Sequence, residues 1–382
     1  MDTVAGTRSS LTWAVHISAA ILVLLWLFPT VGLLVSSFRT ADQIATSGWW
    51  RASFAAEQSL TLRTAAPDVQ VAQDGTYTIE GNLFEPGKGG EIAVWGVSAR
   101  DIAAFRPGET AELRRGGTLT VQANGDYRMA SAAPFKGKRG QRVFATAAVP
   151  PEFTLDNYHH VLLDPANSEG MARAFFNTLT VTIPATVIPI LVAAFAAYAL
   201  AWMEFPGRAL LVAAVVGLLV VPLQLALIPL LSLHNAFGIG KGYVGVWLAH
   251  TAFGMPLAIY LLRNYMVELP REIIESAKVD GATDFQVFLR IVLPLSFPAL
   301  ASFAIFQFLW TWNDLLVALV FLIDATGETT VMTKQLVELL GTRGGNWEIL
   351  ATSAFVSIAV PLAVFFAMQR YLVRGLLAGS VK

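Results

Sequence analysis

Runs of apolar residues unbroken by charge dominate this chain. No Asp, Glu, Lys or Arg occurs in 9–38, 174–203, 209–240, 242–262 or 349–369, each at least 21 residues long. A helix rising ~1.5 Å per residue crosses a ~30 Å hydrocarbon core in about 20 residues, so each run is long enough for a membrane span. A sixth run, Ile291 to Ile323, carries the single charge Asp314 and reads as an equally long apolar helix. Backbone groups in lipid must bond within their own segment, which makes these runs helices and not isolated strands. The pattern predicts an all-α polytopic membrane protein with six transmembrane helices.

Between Arg39 and Arg142 the pattern changes. This stretch holds 24 of the 53 charged residues, with β-branched and aromatic residues paired around turn dipeptides. Val71 to Ile79 and Val121 to Met129 repeat one frame, each with a hairpin-favouring dipeptide, Asp74-Gly75 and Asn124-Gly125. A third turn is expected at Gly116-Gly117. The repeat is either a duplicated unit or two independent uses of common turn chemistry. The predicted organisation is an N-terminal segment and first helix over 1–38, a β-rich sandwich or barrel inserted over 39–150 between helices 1 and 2, and a helical core over 151–382.

Short-loop Lys and Arg set orientation. With the N-terminus inside, Arg8, Arg208, Arg263, Arg271, Lys278, Arg290, Arg370, Arg374 and Lys382 face the cytoplasm, and only Lys241, Lys334 and Arg343 lie in short outer loops. This predicts cytoplasmic termini and an extracytoplasmic β insertion. The first charge-free run exceeds the ~7–15 residues of a signal-peptide core, which favours an uncleaved anchor.

Composition narrows the function. The chain is 55% hydrophobic and 14% charged with a net charge of -1, so no basic field is present to hold nucleic acid. The absence of Cys removes disulfides, thiolate catalysis and Cys-based zinc sites. His16 and His250 stand alone in spans and His159-His160 are adjacent, so no metal is assigned. Gly87-Lys88-Gly89 lacks the Ser or Thr of a phosphate-binding loop. No nucleophile and base pair or useful carboxylate pair is apparent, which argues against a membrane enzyme.

The longest inner loop, about 264–294, is patterned. Pro270 can open a short helix whose Ile273, Ile274 and Ala277 share a face, and Gly281 offers a turn free of Cβ restrictions. Thr283 and Gln286 fit a capping box, Asp284 suits the positive helix end, and Phe285, Phe288, Leu289 and Val292 follow at helical spacing to Pro294. The result is a compact knob for another protein or an amphipathic elbow on lipid headgroups.

Here a resemblance is specific. Glu275-Ser276-Ala277-Lys-Val-Asp280-Gly281-Ala282, followed by Ile291-Val-Leu-Pro294, resembles the EAA loop of permeases in binding-protein-dependent ABC importers. Phe176-Asn177-Thr-Leu179, Phe205-Pro206-Gly207, Trp312-Asn313-Asp314 and the tail Arg374 to Lys382 are similar to the carbohydrate branch, that of the maltose-transporter permeases. Ser276 replaces the usual Ala, and the 39–150 insertion, absent from short permeases, is similar to the longer permease of α-glucoside importers.

The resemblance implies a type I ABC importer permease fold in the bacterial cytoplasmic (inner) membrane. It also implies a second homologous permease, an ATP-binding-cassette ATPase dimer that carries ATP and Mg, an extracytoplasmic solute-binding protein, and a sugar substrate. In that reading the chain binds no cofactor itself, and Glu275, Ser276, Ala277, Asp280, Gly281, Ala282, Ile291 and Pro294 couple it to the ATPase. Gln224, Gln307, Trp312, Asn313 and Asp314 are candidate pathway residues; the alternative is bonding to neighbouring helices. Trp310 and Trp312 are either sugar-stacking or packing residues. Gly344, Gly345 and Trp347 are candidate binding-protein contacts, or part of an ordinary connector. An ion-coupled secondary transporter and a permease for a non-sugar solute stay open as alternatives.

Overall fold

Alternation along Arg142–Val149 puts Val143, Ala145 and Ala147 on one face, and the computed structural model buries all three. Residues 10–73, 75–86, 89–114, 116–163, 171–323, 326–342 and 346–377 are described. They divide into two units, one of residues 1–157 with 346–352 and one of 158–345 with 353–382.

In the first unit α1 (Ser10–Ser37) precedes the short α2 (Ala41–Thr46) and, among the described residues, eight strands. These are β1 (Ala56–Arg63), β2 (Val71–Gln73), β3 (Thr76–Asn82), β4 (Glu91–Gly96), β5 (Thr110–Glu112), β6 (Thr118–Val121), β7 (Asp126–Ser131) and β8 (Arg142–Val149). They form a three-stranded sheet, β1-β8-β4, and a five-stranded sheet, β2-β3-β7-β6-β5. Trp95 and Val143 from the first sheet and Ile79, Leu119 and Val121 from the second share one buried cluster. The expected hairpins form as β2–β3 and β6–β7, and Gly116 and Gly117 turn β5 into β6. Asp74 lies outside the described residues. The two repeat frames meet, because β3 pairs antiparallel with β7 and sets Ile79 opposite Met129.

Helix α1 is apolar all round, with Leu25 and Trp26 well exposed. Such a helix is built for lipid or for another apolar surface. At its end Asn157 donates to the carbonyls of Ser37 and Arg39, both at 2.9 Å. Phe38 accepts from Thr154 N at 2.8 Å, and Arg39 bridges to Phe153. The two ends of the β region therefore return to one place.

The chain continues from α3 (Asp156–Leu162) through α4 (Met171–Trp202), α5 (Arg208–Leu218), α6 (Leu223–Ala236) and α7 (Tyr243–Val267). Next come α8 (Arg271–Val279), α9 (Asp284–Val287), a π-helical turn (Phe288–Val292), α10 (Leu293–Leu295), α11 (Phe297–Trp312), α12 (Leu316–Phe321), α13 (Met332–Thr342) and α14 (Trp347–Leu377). Helices α4 and α7 make the most extensive helix pair. Among the described residues four helices, in α1, α4, α7 and α14, are individually long and apolar enough to cross a membrane.

Two of the apolar runs are bent where the sequence predicts one continuous helix. The run 209–240 bends by 111° between α5 and α6. Pro222 lacks an N–H and disfavours a helical Val221, so the hydrogen-bond ladder breaks there. The Ile291–Ile323 run bends by 70° near Ser296. Pro294 and Pro298 flank that bend, and the helix stops at Trp312, leaving Asn313 and Asp314 in a break before α12. The expected α-helix from Phe285 to Pro294 widens into the π turn, and Pro294 sits in the first turn of α10.

Candidate functional site

The elbow is built from α8 to α10. Pro270 caps α8, and Gly281 takes φ +84°, a left-handed conformation that side chains with a Cβ adopt at a cost. Thr283 Oγ1 accepts from Gln286 N at 3.3 Å and Gln286 Oε1 accepts from Thr283 N at 2.9 Å, so the capping box forms as the spacing predicts.

One face of this elbow belongs to the helix core. Ile274, Val287, Phe288 and Val292 are buried in a cluster with Ala197 and Tyr198 of α4, Leu262 and Met266 of α7, and Phe303 of α11. At roughly 1.5–3 kcal/mol for each fully buried side chain, four of them contribute on the order of 6–12 kcal/mol of gross burial. Ala277 packs half-buried beside them, but Ile273 is exposed, so the expected three-residue face is only Ile274 and Ala277. A helix of one hundred degrees per residue cannot bury adjacent positions equally at a narrow contact.

The other face is open. Glu275, Ser276, Asp280 and Gly281 are exposed, as are Val279 and Phe285, while Ala282 and Ile291 are half-buried and Pro294 is exposed. Arg271 Nε donates to Glu275 Oε1 at 2.8 Å along α8.

Polar contacts absent from the motif hold the two short helices to the span ends. Lys278 Nζ lies 2.9 Å from Asp284 Oδ1, which also accepts from the Tyr198 hydroxyl of α4 at 3.2 Å. The Lys278 hydrogen bond holds the Asp284 carboxyl below its usual range. Trp202 Nε1 donates to Met266 O at 3.0 Å and so ties the end of α4 to the end of α7. Tyr198 and Trp202 lie inside an apolar run, where sequence offers only their amphipathic ring type as a signal.

Gln307 is buried and donates to Ala185 O at 3.1 Å and His250 O at 3.4 Å, against Gly254 of α7. Trp312 is buried, donates to Ser357 O at 2.9 Å and stacks on Phe308. Asp314 Oδ2 accepts from Val317 N at 2.9 Å and Ala318 N at 3.2 Å, capping α12, and lies 3.8 Å from His250 Nε2. Asn313 and Gln224 are exposed, and Asn313 donates back to Leu309 O at 2.7 Å. Trp310 meets His250 edge-on at 6.2 Å. Asn177 has a role that its motif did not reveal: it donates to the carbonyls of Glu328 and Thr330 and accepts from the Tyr243 hydroxyl. Trp347 is exposed at the start of α14. Gly344, Gly345, Gly87, Lys88 and the tail beyond Leu377 lie outside the described residues.

Residues 173–377 match the family of binding-protein-dependent transport system inner membrane components. The alpha-glucoside transport system permease protein AglG of Rhizobium meliloti (strain 1021) is 62% identical over 380 residues, 98% of each chain. An alignment of that length takes in the β region. The osmoprotective compounds uptake permease protein GgtD of Synechocystis sp. is 58% identical over 231 residues, 60% of this chain and 76% of that one. A chain from the crystal structure of a bacterial ABC transporter that imports the acidic polysaccharide alginate aligns over 59% of this chain and 81% of its own. Its identity is 22% and its TM-score 0.48.

Proposed function

Because the chain belongs to the family of binding-protein-dependent transport system inner membrane components, we propose that it is the permease subunit of an ATP-driven importer for an α-glucoside or a closely related sugar. The observation that carries the solute is the 62% identity to the α-glucoside permease across 98% of both chains. ATP hydrolysis takes place on a separate ATPase, a second homologous permease completes the pathway, and an extracytoplasmic binding protein delivers the sugar. Counting each bent pair as one span makes six, with the β region inserted between the first and second. The nine-to-three distribution of Lys and Arg supports cytoplasmic termini in the inner membrane.

In this reading the elbow is the coupling element. Its exposed face, with Glu275, Ser276, Asp280 and Gly281, meets the ATPase, and Ala277, Ala282, Ile291 and Pro294 shape the turn of chain behind it. Its buried face is packed into α4, α7 and α11, so displacement of the elbow moves those helices together as a body. Exposed Gln224 and Asn313 are available to the pathway, with the nearly enclosed Asp314, Gln307 and Trp312 supporting it. Gly344, Gly345 and Trp347 remain the proposed contact with the binding protein.

The test is ATP-dependent uptake of labelled mono-, di- and oligosaccharides by the complex reconstituted in vesicles. Uptake of an α-glucoside that needs both ATPase and binding protein is expected. Ion-driven uptake without an ATPase would sink the proposal. A second reading, an osmoprotective solute, is favoured by the 58% identity to the osmoprotectant permease, and competition by such solutes in the same assay would select it.

A further inference from the structure

The first unit contains a cleft of about 260 Å³ beside β1 and α2. Its floor is the row Gln58, Leu60 and Leu62, which alternation along β1 places on one side of the strand. Leu83, Phe84 and Val149 continue the apolar wall, and Asp42, Glu85 and Glu152 stand around it.

The walls are held in place. Arg39 is buried and donates to Gln43 O at 2.6 Å and Ser47 O at 3.0 Å, fixing α2. The Gln43 amide donates to Glu152 O at 2.8 Å and accepts from Glu152 N at 2.6 Å, joining α2 to the segment after β8. Phe84 N donates to Asn82 Oδ1 at 2.8 Å, and the Phe84 ring rests on Gly125, where a Cβ would come within 2.5 Å of it. The hairpin glycine therefore also seats the aromatic wall.

Gln58 differs from its neighbours. It is 7% exposed, it lines the cleft, and its amide has no hydrogen-bond partner among the described residues. The amide itself is not sealed off, so it opens onto the cleft with a donor and an acceptor free. Carboxylates and an amide over an apolar, aromatic floor fit a ring with hydroxyls on its edge and C–H bonds on its face. The carboxylates repel acidic sugars, and among the described residues no three His, Asp or Glu side chains gather as a metal site. A cavity of ~150 Å³ already admits benzene, so this cleft has room for one pyranose ring.

We propose that this cleft is a binding subsite for a single neutral sugar ring, with Gln58 bonding ring hydroxyls, Asp42 and Glu152 accepting from others, and Phe84 beside the ring face. The chemistry of the cleft specifies a neutral polyhydroxy ring; the choice of an α-glucoside rests on the functional reading above.

The experiment is saturation-transfer NMR of methyl α-D-glucoside with the full chain in lipid nanodiscs, without ATPase or binding protein. Saturable transfer to ring protons, unchanged between low and high salt, is expected. Gln58→Leu keeps the volume and removes the amide, and should weaken binding about tenfold, the equivalent of one good hydrogen bond. Glu152→Gln, on the exposed rim, gives an independent reading if Gln58→Leu misfolds, and should weaken binding several-fold. No saturable binding, or binding in both variants as strong as in the parent chain, would overturn the subsite. Uptake by the assembled complex without glucoside binding at this cleft would leave the transport function standing; binding without ATP-dependent uptake would do the reverse.

Discussion

Gly281 and Asp314 show how much one residue can decide. A Cβ at Gly281 would meet no atom within 4 Å, so the only obstacle to a side chain is φ +84°. A left-handed residue costs about 1–2 kcal/mol for most side chains and less for Asn. Gly281→Val should therefore keep membrane insertion but cut ATP-dependent uptake severely, whereas Gly281→Asn should keep most of it. Equal uptake by both variants and the parent chain would count against the coupling role. Asp314 accepts two backbone N–H groups of α12. Asp314→Ala should lower the melting temperature in detergent, for a loss of about 1–2 kcal/mol, while Asp314→Asn retains an acceptor and most of the stability. If Asp314→Asn melts like the parent but fails in uptake, the carboxylate serves the solute pathway as well as the helix cap.

At the scale of elements, burial outweighs charge in fixing the elbow. The exposed Lys278–Asp284 pair is worth about 0.2–1 kcal/mol, far below the gross burial of Ile274, Val287, Phe288 and Val292. Tyr198→Phe or Lys278→Ala should thus shift stability little, and a double-mutant cycle should place their coupling through Asp284 below about 1 kcal/mol. The Asp284 carboxyl is held below its ordinary value by Lys278, so its stabilisation is present above the unfolded value of 3.8 and disappears as pH falls through the lowered folded one. Melting of Asp284→Asn compared with the parent should differ at neutral pH and converge in acid. A constant difference across that range would show that Asp284 acts only through its shape.

At the scale of the molecule, the β region begins and ends at adjacent points, Arg39 bridged to Phe153, and carries its own core. Excision between these residues, closed by a short glycine linker, should leave a chain that inserts and co-purifies with its ATPase but has lost glucoside binding at the cleft. Loss of ATPase association in the clean excision would mean that the β region supports the helical core.

What could be read without coordinates was whatever local chemistry dictates. Runs of apolar residues announce helices, Asp-Gly, Asn-Gly and Gly-Gly announce turns, and Thr283 with Gln286 announces a cap, because each effect acts over a few residues. The bends at Pro222 and Ser296 were within reach, since the prolines stand in plain view, yet hydropathy averages over the backbone bonds that they break. Tertiary structure alone decided the rest. Gln307 and Trp312 spend their polar groups on carbonyls far away in the chain, Tyr198 reaches Asp284 across 86 positions, and Gln58 lacks a partner only because of what folds around it. Such pairings depend on which surfaces meet, and that is a property of packing which no short stretch of sequence contains.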